Sequence, residues 1–539
     1  MKATRGLDRE GIIAALHELA ALLELHGESK FKSRAYAKGA RVLEASRADL
    51  GSLVGEGRLT DLPGIGTALA RVIEQLHQTG TSELLETQRA KEAEHRASRS
   101  GKKNERRQQR LQKTVAKYEA RTSGIMLADA LALSDAIVEK TDEPVHLAGS
   151  VARGQELSPD LDLVVVTDSP PKTLAAIAKR LRGVTNEQKG EDAMRLWLGD
   201  GTHLDVTAAR SEDLPTVLAF EQSADAHVAK LVARANERGL RLEPHGLFRG
   251  AARVALADEH QLYDMLGLTW IPPELREDIG EIEAAETGDA FELVERSHLR
   301  GFVHCHTTWS DGKHTVEEMA RAAEERGAAF LTITDHSSAA HYAGGLDEER
   351  LLRQWDEIDE VQERVKIRLL KGTETDILAD GALDWPDRLL ARFEVIVASI
   401  HQRHQQNEAK MTERVLRAMR HPAFKIWGHP LGRLVRTRPP IPLRIEEVLD
   451  AMADAPCAIE ISGDPARLDL EPRWVRAARE RTIPFVLSVD AHSMRELGNV
   501  RYAVALARRG NVRPGEVLNA RSAKAFADAV RPTRGTRAA

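Results

Sequence analysis

The feature that most constrains the fold is a pattern that repeats after Arg300, in which a short apolar run ends in His, Glu or Asp and an amphipathic stretch follows. The runs are GFVHCH, AAFLTITDH, IRLLKGTETD, FEVIVASIH, AFKIWGHP and IPFVLSVDAH. Strands that alternate with helices form parallel βα units, and many such units in a row favour a barrel. We therefore expect a C-terminal α/β barrel.

The polar residues at the ends of these runs are candidate metal ligands, because the carboxyl ends of barrel strands meet at one rim. Alternate residues of a strand share a face, so His304 and His306 are expected to converge on one ion. The nine candidates are His304, His306, Asp311, His336, Glu374, His401, His429, Asp490 and His492. One such histidine alone would more often be structural, but nine at strand ends favour a metal site.

The residue types also restrict the chemistry. Imidazole and carboxylate without thiolate suit Mn²⁺, Zn²⁺ or Fe²⁺. Nine candidates exceed the needs of one ion, so we expect two or three divalent metals bridged by Glu374. Clustered metals suit the hydrolysis of phosphate esters, because they activate water and stabilise the leaving oxygen.

A second group of candidates lies in the stretch AGSVARGQELSPDLDLVV, residues 148–165. Gly149 and Ser150 would let the backbone approach a phosphate, and Arg153 could bind that phosphate. Two of the three carboxylates are expected on one strand face and the third on a nearby strand. These carboxylates are Asp160, Asp162 and Asp205. Such a triad can hold two Mg²⁺ or Mn²⁺ ions for nucleotidyl transfer.

The N-terminal region is predicted to be helical. Apolar residues recur at helical spacing in REGIIAALHELAALLELHG, and LPGIG places a Gly-x-Gly hairpin between two helical stretches. Residues 89–117 then contain eleven Lys or Arg and three Glu. That basic segment is either a solvated hinge or a nucleic-acid contact, and the sequence leaves both open.

Length and charge set outer limits. The chain has 539 residues and a net charge of −6, which suits roughly three domains and argues against a wholly basic nucleic-acid binder. With only Cys305 and Cys457 no disulfide framework is expected, which favours a cytoplasmic location. No apolar run reaches the ~18 residues of a membrane span, and the start MKATRGLDRE does not resemble a signal peptide, so no membrane partner is expected.

Residues 296–535 resemble the polymerase-and-histidinol-phosphatase (PHP) domain. The resemblance rests on HCHTTWSDG, TDHS, GTETDI, SIH, GHP and DAH. The metal-binding positions of that family fall on the nine candidates above. The resemblance implies a distorted, TIM-like barrel that acts as a metal-dependent phosphoesterase.

The middle of the chain resembles the nucleotidyltransferase core of family X DNA polymerases. The stretches ERGLRLEPHGLF and LGLTWIPPELREDIGEIEAA are similar to its bacterial members, in which a PHP domain follows the polymerase. The N-terminal helices resemble the first helix-hairpin-helix domain of that family, where the amides of Gly64 and Gly66 would hold a DNA phosphate.

The resemblance implies a multidomain chain. We expect an all-α helix-hairpin-helix domain, a basic linker or helix, an α+β nucleotidyltransferase domain and the PHP barrel. Their expected boundaries are residues 1–88, 89–121, 122–272 and 296–535. The implied partners are gapped, nicked or 3′-ended DNA and, for the polymerase core, dNTPs.

Two departures from the family pattern weaken the polymerase interpretation. The short basic segment stands where bacterial members carry a second hairpin-bearing fingers segment. The nucleotide-facing motif appears as FEQSADAHV, in which Glu221 and Gln222 replace Thr and Gly. An acidic side chain there should repel a triphosphate, so weak polymerisation or none is expected.

Four functions remain open from the sequence. The favoured one is DNA end processing by the barrel, as a 3′–5′ exonuclease or a related phosphoesterase, with Arg467 as a candidate phosphate contact. The alternatives are an active gap-filling polymerase with an attached exonuclease, a DNA-binding scaffold, and a small-molecule phosphatase similar to histidinol phosphatase.

Overall fold

The computed structural model describes residues 6–7, 9–26, 28, 30–45, 50–62, 65–97, 124–181, 183–198, 202–402, 404 and 406–532. The chain divides into two compact units. The first contains the N-terminal helices and a five-stranded sheet. The second contains a three-stranded sheet and the C-terminal barrel.

The N-terminal helices pack around one apolar core. They are α1 (Arg9–Leu25), α2 (Lys30–Ala45), α3 (Leu50–Gly55), α4 (Thr67–Thr79) and α5 (Glu83–Ala97). Leu16 and Leu19 of α1 pack in one cluster with Ile73 and Leu76 of α4, and all four are buried. Helix α5 continues past residue 88, and its Glu92 is buried against His26, 3.2 Å away. The first nine residues of the basic segment are therefore helical, and residues 98–123 lie outside the described residues.

The rest of the first unit is a mixed sheet with short helices. The helices are α6 (Leu127–Val138), α7 (Gly149–Ala152), α8 (Pro170–Arg180) and α9 (Leu214–Glu221). The strands are β1 (Ile125–Met126), β2 (Val145–Ala148), β3 (Leu157–Ser158), β4 (Leu161–Val166), β5 (Val184–Lys189), β6 (Ala193–Leu198) and β7 (His203–Ala209). The five-stranded sheet has the order β2-β4-β7-β6-β5, and β1 pairs with β3. This confirms the predicted α+β core.

The second unit begins with helices and a small antiparallel sheet. These elements are α10 (Asp225–Glu237), β8 (Arg241–Glu243), β9 (Gly246–Arg249), β10 (Ala252–Val254), α11 (Glu259–Met265) and α12 (Glu281–Glu286). His227 is fully buried and bonds through its two ring nitrogens to Glu281, at 2.6 Å, and to the hydroxyl of Tyr263, at 3.0 Å. Buried polar groups paired in this way hold α10, α11 and α12 together.

Seven parallel strands form the barrel in chain order. They are β11 (Gly301–Phe302), β12 (Phe330–Ile333), β13 (Arg368–Asp376), β14 (Val395–Ser399), β15 (Ile426–Trp427), β16 (Ala458–Ser462) and β17 (Phe485–Ser488). A single parallel bridge between Cys305 and Ala491 joins the chain after β11 to the chain after β17. The sheet is therefore nearly closed, and the predicted TIM-like architecture is confirmed.

Helices surround the barrel and cover one of its ends. They are α13 (Val316–Glu325), α14 (Glu348–Gln362), α15 (Asp387–Leu390), α16 (Glu408–Met419), α17 (Ile445–Ala453), α18 (Pro472–Glu480), α19 (Val500–Arg509) and α20 (Ala523–Val530). The side chain of Thr315 and that of Glu318 close a capping box at the start of α13. Phe526 of α20 stacks on Phe330, with ring centroids 4.8 Å apart, and packs with Val303 in the barrel core. No helix of the described chain has an apolar stretch long enough to cross a bilayer.

The strand argument for His304 and His306 was wrong. Strand β11 ends at Phe302, and His304 has a left-handed φ of 64°. The two imidazoles nevertheless lie close together, with ring centroids 5.3 Å apart. The turn after the strand brings them together, not the alternation of side chains along it.

Candidate metal centre

Glu374 stands at the centre of the predicted metal ligands. Its carboxylate is fully buried, and its Oε1 lies 3.2, 3.1 and 2.9 Å from Nε2 of His304, His401 and His429. Its Oε2 lies 2.8 Å from Nδ1 of His336 and 3.7 Å from Nε2 of His306. The two oxygens of one carboxylate therefore face two different sets of imidazoles.

The carboxylates of Asp311 and Asp490 connect the sixth histidine, His492, to this group. Asp490 Oδ1 lies 3.3 Å from Nε2 of His306, and Asp311 Oδ1 lies 3.3 Å from Nε2 of His492. Asp311 Oδ1 also lies 3.6 Å from Nε2 of His336. The structure thus brings all nine predicted residues together at the carboxyl ends of the strands.

Overlapping sets of these side chains could each hold an ion. In every set the candidate ligand atoms lie within 4.8 Å of one another. The sets are His306–Asp311–His336–His492, His304–His429–Asp490, His304–His306–Glu374 and His336–Glu374–His401. Two of the four sets share Glu374.

Two buried carboxylates that the sequence analysis did not single out orient the imidazoles. Glu460, from the interior of β16, accepts from Nδ1 of His304 at 2.6 Å and from the backbone N–H of His429. Asp376, at the end of β13, lies 3.3 Å from Nδ1 of His401. Such partners fix which ring nitrogen points into the site. A glutamate inside the apolar run AIEIS was the signal that could have identified Glu460.

Three of the nine candidates have strained backbones. His304, His429 and Asp490 have φ values of 64°, 22° and 47°. A left-handed conformation in a residue other than glycine costs on the order of 1 kcal/mol or more and concentrates at functional sites. The local fold gives up stability to aim these side chains at the cavity.

The polar atoms of the cavity fit a cation. Within the described residues, seven buried nitrogen or oxygen atoms of these side chains make no hydrogen bond of good geometry, although some lie close to an oppositely charged group. They are Nε2 of His304, both ring nitrogens of His306, Nδ1 of His336, Nε2 of His401, Nδ1 of His429 and Oε2 of Glu374. Each such atom costs about 1–3 kcal/mol when it stays unpaired. Imidazole and carboxylate groups also suit the ions expected from the sequence.

The charges of the cavity depend on one another. Burial alone would raise the pKa of Glu374, but the charges of His401, His304 and His336 hold it well below its usual range. Burial alone would lower the pKa of His401, whereas Glu374 and Asp376 raise it to about 10. Burial, with His492 and His336 nearby, lowers the pKa of His306 to about 3, so this imidazole is neutral at pH 7, the form that binds metals.

Two further residues border this cavity. Arg467, the predicted phosphate contact, lies with its Nε 3.2 Å from Asp490 Oδ2 and 3.2 Å from Asp464 Oδ2. Tyr342, which the sequence analysis did not single out, is 68% exposed. Its ring centroid lies 6.2 Å from those of His336 and His401. An exposed ring beside the site is available to a ligand.

The structure also brings together the three carboxylates of the first unit. Asp160, Asp162 and Asp205 have ligand atoms within 4.8 Å of one another, and Asp162 faces Asp205 across the β4–β7 ladder. Gly149 has a φ of 58°, and a side chain there would clash with the Asp162 carboxylate. Ser150 contacts the Ser158 hydroxyl. The glycine is thus required by the close approach of a carboxylate.

Two further charged residues, Arg195 and Glu221, alter the electrostatic environment of these three carboxylates. Arg195 of β6 pairs with Asp205 through both ends of its guanidinium, with Nε 2.6 Å from Oδ1. Burial, then the charges of Asp160, Asp205 and Glu221, raise the pKa of Asp162 to about 7. Burial and Asp205 also raise the pKa of Glu221. Glu221 therefore adds negative charge where the sequence predicted repulsion of a triphosphate.

The other predicted contacts have different surroundings. Arg153 lies 3.6 Å from Glu277 through its Nε. Gly66 is exposed and caps the N-terminus of α4. Gly64 lies outside the described residues.

Comparison with known proteins places each region. The helix-hairpin-helix domain matches residues 8–82, the DNA polymerase beta thumb matches residues 223–277, and the PHP domain matches residues 303–462. Probable phosphatases match less than half of this chain. One from Caldanaerobacter subterraneus is 27% identical over 238 residues, which cover 42% of this chain and 89% of the relative. Another from Acetivibrio thermocellus is 30% identical over 204 residues, which cover 36% and 80%.

One relative matches along nearly the whole chain. The Bacillus subtilis protein named DNA polymerase/3'-5' exonuclease PolX is 30% identical over 566 aligned residues, which cover 96% of this chain and 98% of the relative. The order of the three matched regions agrees with the resemblance drawn from the sequence. This chain belongs to the bacterial family X DNA polymerases that carry a C-terminal PHP domain.

Proposed function

We propose that the barrel hydrolyses phosphodiesters at DNA 3′ ends, as a 3′–5′ exonuclease that uses two or three divalent ions. The observation that carries this proposal is the buried Glu374 carboxylate, whose two oxygens face five imidazoles. The name of the Bacillus subtilis relative supports the same activity. Mn²⁺, Zn²⁺ and Fe²⁺ all fit the imidazole and carboxylate ligands.

The nine side chains would hold the ions as the overlapping sets described above. When bound, the ions would activate a water and stabilise the departing oxygen. Glu460 and Asp376 hold the imidazoles in place, and Arg467 is positioned to attract a phosphate oxygen. The exposed ring of Tyr342 would stack on the terminal base, a contact that does not depend on base identity.

The N-terminal domain would bind the DNA. Gly66 presents an exposed backbone at the N-terminus of a 13-residue helix, where the helix dipole favours a phosphate. Gly64 is proposed to act with it. We expect gapped, nicked or 3′-ended DNA as the substrate and the cytoplasm as the place of action.

The polymerase core would be weak or inactive. Its three carboxylates suit Mg²⁺ or Mn²⁺, but Arg195 already pairs with Asp205 and Glu221 adds a carboxylate beside them. Since correct placement of the reactants supplies much of the rate in such transfers, misplaced charge should slow it greatly. Gly149, Ser150 and Arg153 remain candidates for contacts to dNTPs.

A Mn²⁺ assay on a gapped DNA with an end-labelled primer tests both parts, with and without dNTPs. It compares the wild type with His336→Ala and with the double variant Asp160→Ala/Asp162→Ala. The matched control is His421→Ala, which removes an imidazole that pairs with Asp387 away from the cavity. Primer shortening that is lost only in His336→Ala, without extension, supports the proposal. Extension that is lost only in the double aspartate variant would make the polymerase the active core.

A small-molecule phosphatase is the second candidate, because relatives named probable phosphatases match 42% and 36% of this chain. The same proteins are assayed with a small phosphomonoester in place of DNA. Turnover of the monoester that is lost in His336→Ala, with an unchanged primer, would favour this alternative.

A further inference from the structure

A second cavity in the barrel unit contains an excess of positive charge. It has a volume of about 630 Å³ and lies on the outer side of β11, where Phe302 lines it, whereas the adjacent Val303 packs into the barrel core. The described residues that line it include four arginines and no Asp or Glu. These arginines are Arg296, Arg300, Arg326 and Arg501. The chain as a whole has a net charge of −6, so this concentration of one sign is local.

Three of the four guanidinium groups have no acidic partner in the part of the chain that the structure describes. Within the described residues, Arg296, Arg300 and Arg326 make no ion pair. Arg296 donates to the carbonyls of Leu299 and Arg326, at 3.5 and 3.4 Å, and lies over the Phe302 ring. Arg326 donates to the carbonyl of Ala322 at 2.8 Å. Carbonyls satisfy these donors but do not neutralise their charge.

A structural role explains only part of the cluster. Arg326 follows the last turn of α13, where the helix dipole stabilises a cation. The Arg300 side chain, which is exposed, makes no hydrogen bond or ion pair within the described residues. Burial and the nearby Arg326 lower the pKa of Arg296, so these two cations repel each other. An anion in the cavity would relieve that repulsion.

We infer that this cavity binds phosphate groups, supplied either by a nucleic-acid backbone or by a free phosphate compound. Guanidinium groups bind phosphate oxygens through paired hydrogen bonds, and three or four of them around one opening suit more than one phosphate. The walls also include Leu299 and Leu497, which are both buried, so packed apolar side chains lie beside the arginines. The site uses none of the candidate metal ligands, and its occupation does not require the barrel to hydrolyse anything.

The test measures binding by the full-length protein without catalysis. All variants carry His336→Ala and are kept in EDTA, so that DNA is not shortened. Arg300→Gln and Arg326→Gln are compared singly and together, and Arg300→Gln is the variant with no side-chain contact to lose. The matched control is Arg321→Gln, which removes an exposed arginine of α13 that pairs with Glu317 at 2.6 Å.

The probes are a labelled single-stranded oligonucleotide, followed by anisotropy, and inorganic pyrophosphate, followed by calorimetry. For a DNA backbone we expect Kd to rise about fivefold for each arginine removed. The slope of log K against log salt should fall by about 0.7 for each contact. Weaker pyrophosphate binding with unchanged DNA binding would identify a free phosphate compound as the ligand. Variants that match Arg321→Gln with both probes would overturn the inference, whether or not the wild type degrades DNA.

Discussion

Arg195 and Asp205 face each other across the β6–β7 ladder, and their side chains form a two-point ion pair with Nε 2.6 Å from Oδ1. Asp205 is one of the three carboxylates that a family X polymerase core would use for its metals. The guanidinium compensates Asp205 but leaves Asp160, Asp162 and Glu221 close together. The remaining negative charge makes this region sensitive to pH and to divalent metal.

The raised pKa of Asp162 predicts a pH-dependent stability. Its pKa is about 7 in the folded chain and about 3.8 when unfolded, so the folded state holds the proton more tightly. The negative charge of the Asp162 carboxylate is absent below about pH 4. Stability falls as the pH rises towards 7, and above about pH 7 the folded state carries the full unfavourable charge. Asp162→Asn should therefore raise the unfolding temperature more at pH 8 than at pH 5, in EDTA. An equal shift at both values would contradict the assignment, and Mg²⁺ should narrow the difference at pH 8.

Glu221→Gln should improve nucleotide insertion. It removes a charge that raises the pKa of Asp162 and that should repel a triphosphate. We expect the KM for a dNTP to fall several-fold with Mn²⁺, measured as single-nucleotide insertion in a His336→Ala background. Glu212→Gln, on an exposed residue of the same unit, is the control. Insertion that is unchanged or slower in Glu221→Gln would show that Glu221 does not limit the core.

Glu374→Gln should abolish hydrolysis by the barrel. Glutamine keeps the shape of the side chain but removes the charge that faces five imidazoles. The loss of activity should exceed the roughly 10–100-fold that follows removal of a residue hydrogen-bonded to a metal ligand. The amount of bound metal should fall as well. Nucleotide release and elemental analysis measure the two effects. Glu317→Gln, which changes a half-buried glutamate of α13 that pairs with Arg321, should match the wild type; metal retained in full by Glu374→Gln would rule out bridging.

The sequence predicted the barrel well because its signals are local. An apolar run that ends in His, Glu or Asp indicates both a strand and its functional end, so β12 to β15 and β17 appear where expected and the nine candidates lie together. The sheet core was predictable for the same reason, since Asp162 and Asp205 each sit in a strand pattern of their own.

Contacts that depend on register or on turns were not predictable. Arg195 meets Asp205 only because β6 and β7 pair in one register. The prediction that His304 lies on a strand failed because a left-handed turn follows Phe302. Tyr342 lies in a short 3-10 helix, His341–Ala343, between β12 and α14, and nothing in its neighbours HYAGG indicates the histidines it approaches.

The Glu460→Gln variant tests whether Glu460 positions the imidazole of His304. Glu460 holds Nδ1 of His304 at 2.6 Å and is fully buried, so its charge favours the ring orientation that turns Nε2 towards Glu374. We expect a 10–100-fold loss of metal affinity or activity, partly recovered at high Mn²⁺. This loss is measured from the hydrolysis rate as a function of Mn²⁺ concentration. A reduced rate that no Mn²⁺ concentration improves would indicate a folding defect and not a loss of support.

Tyr342 should contribute to substrate binding and not to the chemical step. Its exposed ring lies 6.2 Å from the rings of His336 and His401, beside the candidate metal ligands. Stacking contributes about 1–3 kcal/mol per base, so Tyr342→Ala should raise KM for a single-stranded 3′ end by about 5-fold or more at nearly constant kcat. Tyr342→Phe keeps the ring and should behave as the wild type. The difference between the alanine and phenylalanine variants should vanish on a substrate whose 3′-terminal residue is abasic, because no base remains to stack; a difference that persists there would assign Tyr342 to the packing of the histidines instead.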